Sequence, residues 1–540
     1  MKKRRIFIIL IAAILFVLPL ATTLSADAYD DYGIYMDGKK TGETGYYVKG
    51  NVYLPVTMIG TYCNNSGVTL DTAGKQLLID ISQERLMLAD DTITSFVKTN
   101  AGIITIPLKN LNGNLCFSLN VMSQFFKLDY SVSGKKIKLR ALTGKETIAR
   151  VSGENVIAVP SLDSEATGRI TLTNGQRVYI EGTTDNYSII RDYDDNTYYV
   201  LSGNIKTEDI DLSQIDFYAA KKTKFTRKAN DKINLVWQYV SDTTPESPVK
   251  YAGIDILSPT WFRLKVNDGG NVTNSGDKGY TDKAHAAGYM VWATITNNMS
   301  ASGSTKFTTA MFNDSAIENR AIAQYILYSC IYDVDGINID FEDVVDGDRD
   351  GLTAFTKKMR SYTERQGLCL SIDTLVPASW TVEYDRKALS KYVDYLAVMT
   401  YDEHYSGSKT PGSIASLPWV EKAVKACLDE GVPQSKLLMG IPLYTRIWVV
   451  DESGNIVSKS SATMATAQNS IKVNNATVTY LDSVGQNYAE YTTSNGTAKI
   501  WLEDSTSIQN RLNLINQYNL AGSACWQYSQ ASSDIWNLFR

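Results

Sequence analysis

From Lys232 to the C-terminus the chain alternates short apolar, strand-like segments with amphipathic, helix-like segments in a regular series. The strand-like segments fall at 233–240, 254–258, 289–296, 336–342, 369–375, 395–401, 437–444 and 523–527. Repeated βα units demand a parallel sheet with helices packed outside it, and eight of them over about three hundred residues predict a (β/α)8 TIM barrel of the α/β class. In such barrels chemistry sits where the strands end, at their C-terminal edge.

The fourth segment differs from the others. Asp335-Gly336-Ile337-Asn338-Ile339-Asp340-Phe341-Glu342 sets polar residues at every second position of an apolar run and ends in a carboxylate. Side chains alternate across a strand, so Asn338, Asp340 and Glu342 project together while Ile337, Ile339 and Phe341 pack the other way. Two carboxylates side by side do not ionise equally easily. Repulsion and partial burial raise one pKa, leaving a proton donor beside an ionised partner near neutral pH.

With 540 residues, 44% apolar content and 10% aromatic, the chain has material for a large core and several domains. Its net charge of -5 offers no basic surplus, so a nucleic-acid partner is not expected. Lys2, Lys3, Arg4 and Arg5 precede the apolar run 6–20, and the small residues Ala26 and Ala28 follow. This predicts a secretory signal peptide over 1–28, with an uncleaved N-terminal anchor as the alternative. Beyond that anchor no membrane contact is expected. Six scattered cysteines read as small core residues, not as a disulfide framework or a zinc site. Histidine occurs only at 285 and 404, which leaves a copper or zinc site without ligands. No metal or other cofactor is expected.

Between the leader and the barrel lie two smaller regions. In 29–141 a pattern is duplicated. Asn51-Val52-Tyr53-Leu54-Pro55 leads to Gly74-Lys75-Gln76-Leu77-Leu78-Ile79, and Asn114-Leu115-Cys116-Phe117-Ser118 leads to Gly134-Lys135-Lys136-Ile137-Lys138-Leu139. Each copy predicts a strand, a short helix and a hairpin. Both resemble the copper amine oxidase N-terminal-like domain, a non-catalytic module. Over 142–208, short β-rich runs broken by turns such as Asn174-Gly175 predict a small barrel. It is similar to bacterial SH3-like domains. The basic residues Lys221, Lys222, Lys224, Arg227 and Lys228 predict a solvated linker over 209–230, and the barrel domain follows over 231–540.

The fourth segment resembles the fourth-strand motif of glycoside hydrolase family 18, DGxDxDxE. Met399-Thr400-Tyr401-Asp402, Gly440-Ile441-Pro442-Leu443-Tyr444 and Trp526 resemble that family's sixth, seventh and eighth strand ends, in order. Thr260-Trp261-Phe262, Tyr401-Asp402-Glu403-His404 and Trp501-Leu502-Glu503-Asp504 resemble its bacterial N-acetylglucosaminidases that act on peptidoglycan, including spore-cortex-lytic enzymes. The resemblance implies substrate-assisted retention, in which the sugar's own 2-acetamido group is the nucleophile. Glu342 would be the general acid, and Asp340 would orient the acetamide and stabilise its developing positive charge. The spacing fits, because two residues on one strand face lie only about 6 to 7 Å apart, too close to flank a sugar as independent nucleophile and acid. Tyr401 would complete the catalytic set by bonding the acetamido group. Asp335, Asn338, Asp402, Tyr444 and Trp526 would bind substrate, Trp526 as an aromatic floor.

Three departures from the family pattern carry expectations. Asn338 stands where the motif has its first inner aspartate, so Asp340 should ionise more easily, with the Asn338 amide donating a hydrogen bond to it. The third strand, 291–296, lacks the family's SxGG, and Gln527-Tyr528 replaces the usual continuation after Trp526. Asp346-Gly347-Asp348-Arg349-Asp350-Gly351 mimics the start of a calcium loop, but position twelve is Lys357 where a glutamate is required. Its acidic residues are expected to cap the helix that follows. His404 is expected to be structural. The stretch 449–498 reads as an insertion before the eighth strand. These features predict a secreted, monomeric, wall-associated hydrolase of N-acetylglucosamine-containing peptidoglycan. Chitin-like glycan is the alternative substrate, and a catalytically silent glycan-binding protein is the contrasting class.

Overall fold

The computed structural model describes residues 29–539 apart from 64, 164–166, 229, 230, 242–244, 246 and 298–303. The expected signal segment lies outside the described residues. Two compact units are present, one ending at Ala220 and the other beginning at Lys221.

The second unit is a closed barrel. Its eight parallel strands are Ile233–Gln238, Ile256–Leu264, Met290–Thr296, Gly336–Asp340, Cys369–Thr374, Tyr395–Val398, Leu437–Pro442 and Gly522–Trp526. They follow one another round the sheet, and the first pairs with both the second and the eighth. These are the eight expected segments in order. The first, fourth, fifth, sixth and seventh are buried along their whole length, as parallel strands packed inside and covered by helices outside must be. Trp237, Trp292, Tyr395 and Leu438 belong to the interior core, where the Trp292 and Tyr395 rings stack with centroids 5.7 Å apart.

Helix ends deliver the chain to the strands. Asp314 caps helix Ser315–Ile331 by accepting from the Ala316 and Ile317 amides. Helix Arg349–Gln366 stops at Gly367, whose φ of +79° is a left-handed turn that glycine takes without a Cβ clash. The fifth strand starts two residues later.

The insertion is wider than its expected 449–498. Strands Tyr444–Val450, Ile456–Thr463, Val478–Leu481, Gln486–Thr493 and Gly496–Trp501 form an antiparallel sheet. Helix Met464–Val473 packs on one face through Ala467 and Ile471. The seventh barrel strand ends at Pro442, so Tyr444 already belongs to the insertion and projects from its root.

In the first unit the duplication is visible as structure. Strand Asn51–Pro55 leads through the turn Val56–Met58 to a hairpin of Val68–Asp71 and Gln76–Asp80. Strand Asn114–Ser118 leads through helix Leu119–Met122 to a hairpin of Leu128–Ser133 and Lys136–Ala141. The two leading strands pair antiparallel, Leu54 opposite Phe117. Residues 147–211 form a seven-stranded antiparallel sheet around Ala149, Ala158, Ile190 and Val200. Its strands pair in one series from Ile170–Leu172 to Ile205–Asp211, and all seven contribute to one core.

The stretch 209–230 is not the solvated linker that its charge predicts. Strand Ile205–Asp211 completes the second sheet of the first unit, and Phe217–Tyr218 pairs with Leu86–Met87. In the barrel unit, Lys222 Nζ lies 2.8 Å from Asp333 Oδ1 and 3.0 Å from Asp335 Oδ1, and Lys224 Nζ lies 2.6 Å from Asp394 Oδ1. Asp335 and Asp394 stand at the N-terminal ends of the fourth and sixth strands, so opposite charge there draws the lysines out of solvent.

Candidate active site

The fourth strand carries Asn338 and Asp340 on its inward face and delivers Glu342 two residues past its end. The backbone at Glu342 is clamped. Its N–H donates to Asn297 Oδ1 at 3.1 Å, while Asn297 Nδ2 donates to its carbonyl at 2.6 Å. From the other side the Tyr384 hydroxyl donates to the Phe341 carbonyl at 2.8 Å. An acid held by its backbone at three points keeps its side chain aimed without needing a cation beside it.

No cation pairs with these carboxyls among the described residues. Burial pushes Asp340 up to about 7. Burial, then the charges of Asp340, Asp343 and Asp402, hold Glu342 well above the usual carboxylate range. Asp373, on the fifth strand, is likewise raised well above its ordinary value by burial and by Asp340. The raised pKa favours the protonated form of Glu342, the form a general acid needs. Burial sets the direction for Asp340 even with an uncharged asparagine at 338. Tyr401, three residues past the sixth strand, has its hydroxyl held protonated by burial and by the Asp340 and Asp373 carboxyls. It is a donor facing the same point.

A second group sits beside it. Asp402 follows Tyr401 at φ +63°, a conformation that aspartate tolerates better than most residues. Its Oδ1 accepts from the Tyr444 hydroxyl at 2.7 Å, and Arg446 Nη2 stands 3.8 Å away. Arg446 is buried, its guanidinium lies over the Trp448 ring, and its Nε has no hydrogen-bond partner. At the end of the eighth strand the Trp526 ring leans on Trp237, centroids 6.1 Å apart. Trp237 Nε1 in turn donates to Asn338 Oδ1 at 2.9 Å. Glu342, Asp340, Tyr401, Asp402, Tyr444 and Trp526 thus all stand at the C-terminal edge of the barrel.

Two expected substrate contacts do not belong there. Asp335 lies at the N-terminal start of the fourth strand, bonded to His285 Nε2 at 2.8 Å, Lys222 Nζ at 3.0 Å and the Val291 N–H at 2.9 Å. Five residues of strand, about 16 Å, separate it from Asp340. Asn338 is buried within the barrel, and its amide donates to Ser371 Oγ and Asp373 Oδ1, both at 2.9 Å, not to Asp340. Both are structural. Asp348 precedes helix Arg349–Gln366 but makes no side-chain cap, accepting instead from Thr309 Oγ1 at 2.5 Å. His404 Nδ1 bonds the Ser413 carbonyl at 2.7 Å, the local role expected of it.

Three site residues escape the sequence reading. Asn297 and Arg446 lie just past the ends of the third and seventh strands, a position that is itself a signal. Asp373 is a lone carboxylate inside the apolar fifth strand, where charge needs a reason.

Residues 268–531 match the family model described as glycosyl hydrolases family 18, and the barrel is a domain of that family. The chain is 27% identical over 255 residues to the cortical fragment-lytic enzyme of Bacillus subtilis, covering 45% of this chain and 58% of that protein. It spans little more than half the length of the curated relatives it matches first. Among solved structures it is similar to the "C-terminal domain of putative chitinase from Desulfitobacterium hafniense DCB-2", with TM-score 0.51, 28% identity, and coverage of 57% of this chain and 98% of that one. The spore cortex-lytic enzyme SleL of Bacillus megaterium QM B1551 shares the fold, with TM-score 0.51, 19% identity, and coverage of 57% and 74%.

Proposed function

We propose that this protein hydrolyses β-1,4 bonds after N-acetylglucosamine in peptidoglycan, outside the cell, by substrate-assisted retention. The observation that carries the reading is the pair Asp340 and Glu342, uncompensated by any cation among the described residues, at the end of one strand. Both carboxyls come from the same side of the cleft. Neither stands across a sugar ring from the other, so the nucleophile must come from the substrate, and the 2-acetamido oxygen is the group placed to attack the anomeric carbon.

The roles follow from position. Glu342, whose protonated form burial and the neighbouring carboxylates favour, gives its proton to the leaving glycosidic oxygen as the acetamide oxygen bonds to C1. Asp340 accepts the acetamide N–H and faces the positive charge that spreads over the oxazolinium ring. Tyr401 donates to the acetamido oxygen and holds it in line. Asp402, fixed by Tyr444, bonds the hydroxyls of the distorted sugar above the indole of Trp526. Water then opens the oxazolinium from the face that the leaving group vacated, with Glu342 taking its proton.

The family of the barrel and the names of its cortex-lytic relatives support peptidoglycan as the glycan, and the residues 1–28 support export. The 28% identity to a structure titled as a chitinase favours chitin as the second reading. Product release by the full chain from peptidoglycan and from chitin oligomers, for wild type and Glu342→Gln, separates them. Muropeptide release by wild type alone is the expected result. If only chitin is cut, the substrate is wrong; if both proteins are inert on every substrate, the enzyme reading is wrong.

A further inference from the structure

The interior of the barrel holds a carboxyl that the reaction above does not use. Asp373 lies on the fifth strand, which pairs with the fourth in the register Asn338 opposite Ser371 and Ile339 opposite Ile372. One step further sets Asp373 beside Asp340, on neighbouring strands about 4.8 Å apart. The surroundings leave a gap in the hydrogen bonding. Asn338 is saturated, since its oxygen accepts from Trp237 Nε1 at 2.9 Å and Thr294 Oγ1 at 3.3 Å, and its nitrogen donates to Ser371 Oγ and Asp373 Oδ1. Asp373 Oδ2 and Asp340 Oδ1 are both buried with no hydrogen-bond partner among the described residues. Two carboxylates have no hydrogen to offer each other, but a carboxylic acid and a carboxylate do.

We infer that Asp373 is a positioning residue that stays protonated and donates its Oδ2–H to Asp340 Oδ1, supplying from the fifth strand the acidic neighbour that Asn338 does not supply on the fourth. This rests on the proposed roles of Asp340 and Glu342. The bond satisfies both orphaned oxygens at once and holds Asp340 with its other oxygen free for the acetamide N–H. No proton leaves the pair during the reaction. It stays on Asp373 while Asp340 remains the anion facing the oxazolinium. Among the described residues no competing cation faces the pair: Glu342 and Asp343 follow the fourth strand, Tyr384 the fifth, Tyr401 and Asp402 the sixth, and Tyr444 the seventh, where Arg446 is turned to Asp402.

The test compares Asp373→Ala, Asp373→Asn, Asn338→Asp/Asp373→Asn and Glu342→Gln in the same glycan-release assay across pH. Asp373→Ala leaves Asp340 without a donor and should lower kcat by about tenfold or more with KM little changed. Asp373→Asn, whose amide can still donate, should keep more activity. The double variant, which returns the carboxyl to the fourth strand, should restore a wild-type pH profile. An Asp373→Ala enzyme within twofold of wild type over the whole profile overturns the inference. So does an Asp373→Asn no better than a folded Asp373→Ala. Where Asp373→Ala does not fold, infrared difference spectroscopy decides, because Glu342→Gln minus Glu342→Gln/Asp373→Asn should show a protonated-carboxyl band at neutral pH. A difference spectrum without that band means that Asp373 holds no proton, and the inference fails. If Glu342→Gln itself remains active, it is the proposed function that fails.

Discussion

Asp335 and Asp340 belong to the same strand, five residues apart, and the barrel treats them in opposite ways. At the N-terminal edge, burial pushes Asp335 up, but the His285 hydrogen bond and the Lys222 charge outweigh it and hold the carboxyl below its usual range. At the C-terminal edge Asp340 has burial without a cation, and rises to about 7. The difference lies in what each faces. Paired charge at one edge fixes strands in place, whereas unpaired carboxyls at the other edge can hold and release a proton near neutral pH, which is costly for stability and useful for chemistry.

The largest effect that sharpens this contrast is on the acid. Glu342→Gln keeps the clamp made by Asn297 and removes the proton donor, so kcat should fall by about 10²- to 10⁴-fold, measured as product release at fixed protein concentration. Stability should move the other way. A carboxyl whose folded pKa is raised stabilises the fold fully below its unfolded value, and that stability is lost as pH rises through the folded pKa. Glu342→Gln should therefore melt at or above the wild-type temperature at pH 8 and close to it at pH 4. A lower melting temperature at pH 8 would break the contrast.

Asp335→Ala should do the reverse. It removes three charge-assisted bonds and should cost about 2 kcal/mol at pH 7, read from denaturant midpoints. Because the folded pKa of Asp335 is depressed, its contribution is present above the unfolded value near 4 and fades as pH falls through the folded value. Wild type and variant should draw together as pH falls through the depressed folded value. At temperatures where both are folded, kcat should match wild type, since Asp335 stands at the opposite end of the strand from Asp340 and Glu342.

The sequence made much of this legible because strand periodicity is a local signal. Eight apolar segments and one alternating face needed only periodicity, whereas Tyr401, Asp402, Tyr444 and Trp526 came from the resemblance of their motifs to the family's strand ends. Asp335 was misassigned although the same period separates it: it shares its parity with Ile337 and Ile339, not with Asp340 and Glu342. Asp373 depends on something the sequence does not hold. Its meaning comes from the lateral register of two strands more than thirty residues apart, and register is set by packing of the whole barrel. Lys222 and Lys224 failed for a related reason, since a charge run reads as solvated until the aspartates it meets are known.

The smallest predicted effect tests how far the C-terminal edge relies on neutral donors in place of cations. Tyr444→Phe removes one hydroxyl, the one that donates to Asp402 Oδ1, and leaves the ring and the root of the insertion intact. A hydrogen bond to a charged acceptor contributes about 1.5 kcal/mol, so kcat/KM should fall about tenfold. Arg446 Nη2, at 3.8 Å, is too distant to replace the bond without moving. If it does move, the loss should be smaller and should deepen in high salt, because a charge pair is screened and a neutral donor is not. Activity of Tyr444→Phe at low and high salt therefore distinguishes a site organised by a fixed hydroxyl from one that falls back on the pairing used at the opposite edge.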